Sequence, residues 1–261
     1  MGWVSQLWQG TYVSAEGAWA LIALGAFALL FIVLTARAIA YGPFATRPLA
    51  AADRLRSAFA RATETGEEVQ VALGSGALGT AATPDTLAGL YLVSYLARRA
   101  ALADVPVRVR VGDATALAGA LAALQHGAAA TGYPEAFDPA QAEFVAPLPF
   151  AYGLGVAEAM RRTPPVANAM AGAWGPEALL PIATGIAQGT PQMGGTSDPA
   201  ALSLFFGTVE APLVGEELYA MGAALGEGRH TGSLATQDVF RALIALGVLL
   251  GAILALIGRL A

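Results

Sequence analysis

Two stretches of this chain, one near each end, carry no charged residue over about the length of a membrane-crossing helix. The first runs from Ala18 to Ala36, nineteen residues, and the second from Ala242 to Gly258, seventeen residues. A helix rises 1.5 Å per residue, so about 20 residues cross a hydrocarbon layer of about 30 Å. The sequence therefore predicts two transmembrane helices, with the lipid bilayer as a partner and everything between them on one side of it.

The composition agrees with contact between the chain and lipid. Of 261 residues, 56% are hydrophobic and 13% charged, and the mean hydropathy is +0.58, whereas about a quarter of the residues in a soluble domain are charged. The net charge is −5 and every basic residue is arginine, so no basic stripe indicates nucleic-acid binding. Absence of cysteine excludes disulfides, thiolate metal sites and a cysteine nucleophile.

The residues around the first apolar run predict its orientation. No Lys or Arg precedes the run, which disfavours a cleaved signal peptide. Several arginines follow it, namely Arg37, Arg47, Arg54 and Arg56. Because positive residues accumulate on the cytoplasmic side of membrane helices, we expect a multi-pass membrane protein with its central domain in the cytoplasm and both termini outside.

The second apolar run has small residues at every fourth position, Gly247, Gly251 and Ala255. This spacing aligns them on one helix face, where another backbone can approach closely. The partner is either the first helix or a helix of another protein molecule, so the sequence leaves open a homo-oligomer or a complex with other membrane proteins.

Six segments follow from these patterns. They are an extracytoplasmic segment at 1–17, a transmembrane helix at 18–37, a juxtamembrane linker and helix at 38–66, an α/β domain at 67–228, a linker at 229–240 and a second transmembrane helix at 241–259.

Short β-rich runs alternate with longer Ala/Leu-rich runs in the central domain. The predicted strands are Val69–Leu73, Val107–Val111, Glu143–Ala146 and Val166–Ala171; the predicted helices are Asp85–Ala103, Ala114–Ala130, Ala151–Arg162 and Pro176–Gln188. Such alternation indicates right-handed βαβ units. We predict a Rossmann-like α/β fold, with a mostly parallel sheet covered by helices on both faces. Farther on, 202–209 forms either a strand or a short helix, and 212–225 is predicted to be helical.

A glycine motif follows the first predicted strand directly. Gly74, Gly76 and Gly79 are spaced as G-x-G-x-x-G, with Ser75 and Thr80 in the same stretch. In dinucleotide sites such glycines permit a tight turn and let a pyrophosphate approach a helix N-terminus. The motif therefore suggests a phosphate or nucleotide site.

Two departures favour the alternative that these glycines only shape a loop. The pair Pro84-Asp85 starts the next helix several residues late. Asp113, the acidic residue expected to bind a ribose, lies 34 residues beyond Gly79 instead of about 20. No lysine of a P-loop is present.

Two further groups are candidates for ligand contact. Thr196 and Ser197 belong to a turn that is expected near the carboxyl edge of the sheet. Glu216 and Glu217 begin the last helix of the domain, where carboxylates interact favourably with the helix dipole. Either glutamate with Tyr219 could instead form a binding or acid–base pair, although adjacent helical residues point about 100° apart.

The chain offers little support for metal or hydrolase chemistry. Its two histidines, His126 and His230, lack the spacing of a metal pair, and no serine lies in a G-x-S-x-G motif. We predict no metal site and no catalytic residue, and the sequence does not identify a cofactor.

Several segments together resemble a known family. They are the Arg-flanked first apolar run, Leu73–Gly76, Leu87–Ala100 and, most of all, Leu213–Ala220 before the terminal apolar run. In this order they are similar to an uncharacterised family of two-span bacterial and archaeal membrane proteins, known as a domain of unknown function. The resemblance covers nearly the whole chain and implies this architecture, with no activity or catalytic residue attached.

Two functions are consistent with the sequence. The first is a non-catalytic assembly or accessory component of a membrane complex, because no reactive cluster is present. The alternative is a nucleotide-binding or small-molecule-binding domain tethered to the membrane, which requires a concave, partly polar cleft at the carboxyl edge of the sheet. A membrane enzyme is disfavoured because the sequence shows no base beside a nucleophile.

Overall fold

The computed structural model describes residues 15–45, 47–226 and 228–260. The predicted extracytoplasmic segment at 1–17 lies almost wholly outside these residues. The chain divides into two compact units, one of Met1–Thr46 with Gly226–Ala261 and one of Arg47–Leu225.

The first unit contains two long helices, α1 (Ala15–Tyr41) and α9 (Gly228–Leu260). They include the apolar spans Gly17–Tyr41 and His230–Leu256, each with a mean hydropathy of 2.5 in its most apolar window. Most of their large apolar side chains are exposed. Both helices are therefore long and apolar enough to cross a membrane, as the sequence predicts.

The two long helices pack against each other through part of their length. The rings of Phe27 and Phe240 meet edge to face with centroids 5.1 Å apart. A Cβ on Gly232 would lie 2.6 Å from Cα of Thr35, so the backbones approach closely there. Because residue numbers rise along α1 as they fall along α9, the helices run antiparallel.

The second unit contains six strands and seven α-helices among its described residues. In chain order these are α2 (Ala50–Thr65), β1 (Val69–Gly74), α3 (Thr83–Ala103), β2 (Val107–Val111), α4 (Ala114–Ala130), β3 (Ala142–Phe144), α5 (Pro149–Arg162), β4 (Ala167–Ala173), α6 (Leu179–Gln188), β5 (Gln192–Gly195), α7 (Pro199–Thr208), β6 (Ala211–Pro212) and α8 (Glu217–Ala224).

The six strands form one sheet in the order β3-β2-β1-β4-β5-β6, and every neighbouring pair is parallel. This is the Rossmann strand order, so the predicted fold is confirmed. Segment 202–209, for which both a strand and a helix were considered, lies mostly in helix α7. The helix predicted at 212–225 begins only at Glu217, because Pro212 belongs to β6 and Gly215 turns the chain with a φ of +58°.

Helices cover both faces of the sheet, and the alternation of side chains along β1 explains the two cores. Val71 and Leu73 point into a cluster formed with α2, α3, α4 and α8. Ala72 points the opposite way, into a cluster with Tyr152 of α5, Ile182 of α6 and Phe205 of α7. With both faces buried, the only open part of such a sheet is an edge or a strand end.

Candidate functional site

An open cleft lies at the carboxyl ends of β1 and β4. After β1 the chain builds the sheet toward β2 and β3, and β4 then starts the other half, so the strand order reverses between β1 and β4. In doubly wound sheets ligands bind at this switch point. The cleft measures about 640 Å³, and its walls include Ser75 and Gly76 after β1, Trp174 and Glu177 after β4, and Ser197 after β5.

The first glycine of the motif, Gly74, joins the strands beneath the cleft. Its φ is +78°, and a Cβ would lie 1.9 Å from the carbonyl oxygen of Ala173. The Gly74 amide donates to the Tyr152 hydroxyl at 3.1 Å, and the Ser75 amide donates to the Ala173 carbonyl at 3.1 Å. Both amides already donate to protein acceptors, so neither is available to a ligand. Gly74 is therefore required for the conformation of the loop.

The second glycine of the motif, Gly76, approaches the neighbouring loop closely. A Cβ there would lie 2.5 Å from the Ala173 Cβ and 2.8 Å from Oγ1 of Thr86. Among the residues that the structure describes, the amides of Gly76 and Ala77 donate to no acceptor. Both residues line the cleft, and their amides are the backbone donors of this loop that remain for a ligand.

The third glycine lies beyond the cleft, in a turn that delays the helix. Gly79 has a φ of +88° and open space where a Cβ would be. Its amide and that of Thr80 donate to Oγ1 of Thr83, at 2.8 and 3.0 Å. Thr80 lines the cleft and Gly79 does not. Helix α3 begins at Thr83, so it starts late, as the Pro84-Asp85 pair predicts.

One wall of the cleft is held by Asp85, a buried carboxylate in the first turn of α3 with 5% exposure. Its Oδ2 accepts the Ser197 amide at 3.1 Å and the Ser197 hydroxyl at 2.7 Å. Its Oδ1 accepts the Tyr219 hydroxyl at 2.5 Å. Burial first, and the hydrogen bond to Asp85 second, raise the pKa of Tyr219, which keeps this hydroxyl a donor. Three segments distant in sequence are therefore tied together by one carboxylate.

Thr196 stabilises the adjacent part of the cleft. Its hydroxyl donates to the Trp174 carbonyl at 3.0 Å and accepts the Trp174 amide at 3.2 Å. The Trp174 indole donates to the Ala72 carbonyl at 3.3 Å and packs on the Tyr152 ring, with centroids 5.1 Å apart. Thr196 thus fixes the loop after β4 against the loop after β5.

The segment after β4 contributes Glu177 to the lining of the cleft, and this residue is 3% exposed. Its Oε1 accepts the Gly175 amide at 2.9 Å. Its Oε2 accepts no hydrogen bond and forms no ion pair with the described part of the chain, although it is not sealed from solvent. A buried carboxylate with one uncommitted oxygen is a strong acceptor within the cleft.

The remaining predicted residues lie outside the lining of the cleft. Asp113 caps α4 by accepting the amides of Thr115 at 2.7 Å and Ala116 at 3.4 Å. The Thr115 hydroxyl also donates to Asp113, and this bond, ahead of those from the backbone amides, lowers the pKa of Asp113. Glu217 accepts the Val214 amide at 3.0 Å, and Glu216 occupies the N-cap position of α8. Their neighbour Tyr219 is the residue that reaches the Asp85 wall.

The structure brings Ser75, Gly76, Thr80, Thr196 and Ser197 together around the cleft. Sequence reasoning missed Asp85 and Glu177 as site residues. Each follows a proline at the start of a helical segment, and this position usually indicates only a helix start. Within residues 15–45, 47–226 and 228–260, no group of three or more His, Cys, Asp or Glu could hold a metal ion.

Comparison with protein families identifies the chain over most of its length. The family model of DUF6754, a domain of unknown function, matches residues 9–261. The chain belongs to the DUF6754 family. Comparison with curated proteins and with solved structures gives no significant match. Membership of DUF6754 brings no activity with it, so the chemistry of this member has to be inferred from its cleft.

Proposed function

We propose that this DUF6754 protein is a membrane-anchored binding protein for a small molecule, which occupies the cleft between β1 and β4. The observation that carries the proposal is the open cleft of about 640 Å³ at the switch point of the sheet. Clefts of this size and position are the usual ligand sites of doubly wound folds. The two free amides and the free oxygen of Glu177 supply polar contacts that the protein itself does not satisfy.

Binding is better supported than catalysis by the geometry of the polar wall. Asp85 and Ser197 are in contact, but both carboxylate oxygens of Asp85 already accept protein donors. The Ser197 hydroxyl is directed to that carboxylate, with no histidine in the lining of the cleft. The wall is therefore organised to hold its shape, which is what a binding site requires.

The proposal places the binding domain at the cytoplasmic face of a membrane. The apolar helices α1 and α9 flank the domain in sequence and supply two anchors. The arginines that follow the first span favour a cytoplasmic domain. A tethered domain of this kind is suited to sensing a metabolite close to the bilayer.

Native mass spectrometry of the full-length protein, extracted gently from its own membranes, tests the binding function. We expect a retained small molecule in the wild type and its loss in Ala77→Trp, whose side chain would occupy the cleft. Ala81→Trp is the matched control, because Ala81 is exposed in the same loop and does not line the cleft. Equal retention by both variants, or no bound molecule in any form, would contradict the proposal.

A second candidate function is assembly through helix α9, either into a homo-oligomer or into a complex with another membrane protein. Gly247 and Gly251 have nothing within 4 Å of where a Cβ would lie, so their face of α9 is open in the described chain. Small residues at such spacing let a second helix pack closely. Here we expect a discrete oligomer in native membranes and in mild detergent, and its dissociation in Gly251→Leu but not in the neighbouring Ala252→Leu. A dispersed monomer in both environments would exclude self-assembly.

A further inference from the structure

The charges that line the cleft are all negative. Its ionisable side chains are the carboxylates Asp85, Glu177 and Asp198, and neither arginine nor histidine is among the lining residues. An anionic ligand such as a phosphate would meet like charge here. The N-terminus of α3, where a Rossmann site would receive a pyrophosphate, already contains the Asp85 carboxylate in its first turn.

Of these three carboxylates, Asp85 is satisfied by protein donors at both oxygens, and Asp198 is exposed to solvent. Asp85 accepts three hydrogen bonds from Ser197 and Tyr219. Asp198 caps α7 by accepting the Ala200 amide at 2.9 Å. Their roles are accounted for by the structure of the loops.

Glu177 differs, because it is almost fully buried and only Oε1 is used, by the Gly175 amide. No arginine or histidine of the described chain forms an ion pair with its carboxylate. Burial of a carboxylate without a positive partner is costly. Arg110, a buried charge on strand β2, by contrast has ionic partners, Glu143 at 3.4 Å and Glu68 at 3.9 Å.

We propose that the cleft binds a small organic cation, an ammonium or a guanidinium, with Oε2 of Glu177 as its counter-ion. This inference rests on the proposed binding function and specifies the chemistry of the ligand. A bound cation would supply the missing partner of Glu177, and a donor N–H would satisfy its free oxygen. A metal ion fits less well, since no set of three metal-ligating side chains converges among the described residues.

Isothermal titration calorimetry on the full-length protein in mild detergent tests the charge preference. The probes are agmatine, putrescine and choline as organic cations, ADP as an anion and magnesium chloride as the metal alone. We expect at least one organic cation to bind, with affinity that weakens as sodium chloride is raised, and neither ADP nor magnesium to bind in the cleft.

Variants connect that binding to Glu177. Glu177→Gln keeps an oxygen for the Gly175 amide and removes the charge, so we expect about tenfold or greater loss of cation affinity. Glu135→Gln, an exposed carboxylate outside the cleft, should leave affinity unchanged. If Glu177→Gln folds poorly, the salt dependence of cation binding by the wild type still tests the proposal.

The possible results separate this inference from the binding function. Binding of ADP, or of an uncharged molecule retained from membranes, that Ala77→Trp abolishes would overturn the cation assignment and leave the binding function intact. Cation affinity that is equal in wild type and Glu177→Gln, or binding of none of the three cations, would also overturn it. Magnesium binding that Glu177→Gln removes would replace the organic cation by a metal. If Ala77→Trp matches the wild type with every probe and retains the same molecules, the binding function itself fails.

Discussion

Two sets of polar groups, one on the strands of the sheet and one in the loops at the strand ends, use their hydrogen-bonding capacity in opposite ways. The first, here called the polar ladder, consists of Arg110, Gln70, Asn168 and Gln192. All four are buried on the face of the sheet that α5 and α6 cover. Gln70 donates to Asn168 at 3.0 Å, Asn168 donates to Gln192 at 3.3 Å, and Arg110 donates to Gln70. Gln192 completes the series by donating to the Ile182 carbonyl at 2.9 Å.

The second group, in the cleft, leaves polar atoms without protein partners. The amides of Gly76 and Ala77 and Oε2 of Glu177 bind nothing in the described chain. In the ladder, direct register between Gln70, Asn168 and Gln192 lets one side chain satisfy the next. Buried polar groups that satisfy one another specify strand register, whereas unsatisfied groups at a strand end are available to a ligand. Polar residues that hold the fold are therefore satisfied by one another, whereas those of the proposed binding site keep unused hydrogen-bonding capacity.

The largest expected effect is loss of stability when the ladder is interrupted. Asn168→Ala would deprive both Gln70 and Gln192 of a partner and leave a small void, for a cost of about 3 kcal/mol in the free energy of unfolding. Glu177→Gln, in the cleft, should cost less than about 1 kcal/mol. Thermal unfolding followed by circular dichroism measures both. If the two variants lose similar stability, Glu177 is a structural residue like those of the ladder.

The fold was predictable because its signals are local or periodic. Strands such as Val107–Val111 are short β-rich runs, here valine alternating with arginine, between longer helical patterns, and the order of these runs suffices for a parallel sheet. The shortest elements gave no such signal. The two-residue strand β6 (Ala211–Pro212) is defined by its register with β5, and no sequence periodicity extends over two residues.

The cleft was predictable only in part, for a different physical reason. Ser75, Gly76 and Ser197 could be anticipated because loops after parallel strands share one edge of the sheet. The Asp85–Ser197 bond joins residues 112 positions apart, and nothing in either segment alone indicates it. Asp113 follows the second strand, as a ribose-binding residue would, yet its side chain caps the N-terminus of α4. The local sequence is equally consistent with either role.

The next largest loss of stability is expected in the glycine motif, where substitutions of two glycines in the same loop should differ in cost. Gly74→Ala would place a Cβ 1.9 Å from a backbone oxygen at a φ of +78°, so we expect destabilisation of about 2 to 3 kcal/mol. Gly79→Ala has a similar φ of +88° but open space, so only the backbone cost of about 1 kcal/mol remains. Chemical denaturation of both variants measures the difference. Equal losses would show that the close approach at Gly74 relaxes easily.

The smallest effect concerns two tyrosines, one beside the ladder and one at the cleft. Burial raises the pKa of Tyr152, whose hydroxyl donates to the Arg110 carbonyl at 2.8 Å, and burial with the Asp85 hydrogen bond raises that of Tyr219. The folded protein therefore holds these protons more tightly than the unfolded chain, whose tyrosines ionise near pH 10. Their contribution to stability is complete below about pH 10 and is lost as the pH rises toward the folded-state values.

Unfolding measured between pH 7 and 11 should show this alkaline loss in the wild type. Tyr219→Phe should reduce its steepness slightly and cost little at pH 7, because Asp85 keeps both of its bonds from Ser197. Tyr152→Phe should reduce the steepness more and also destabilise the protein at pH 7, because the Gly74 amide and the Arg110 carbonyl both lose a buried partner. A wild-type stability that is constant up to pH 11 would mean that both hydroxyls ionise in the folded state as readily as in water. Tyr152 would then not be sealed beneath the sheet, and Asp85 would not hold the proton of the partly exposed Tyr219.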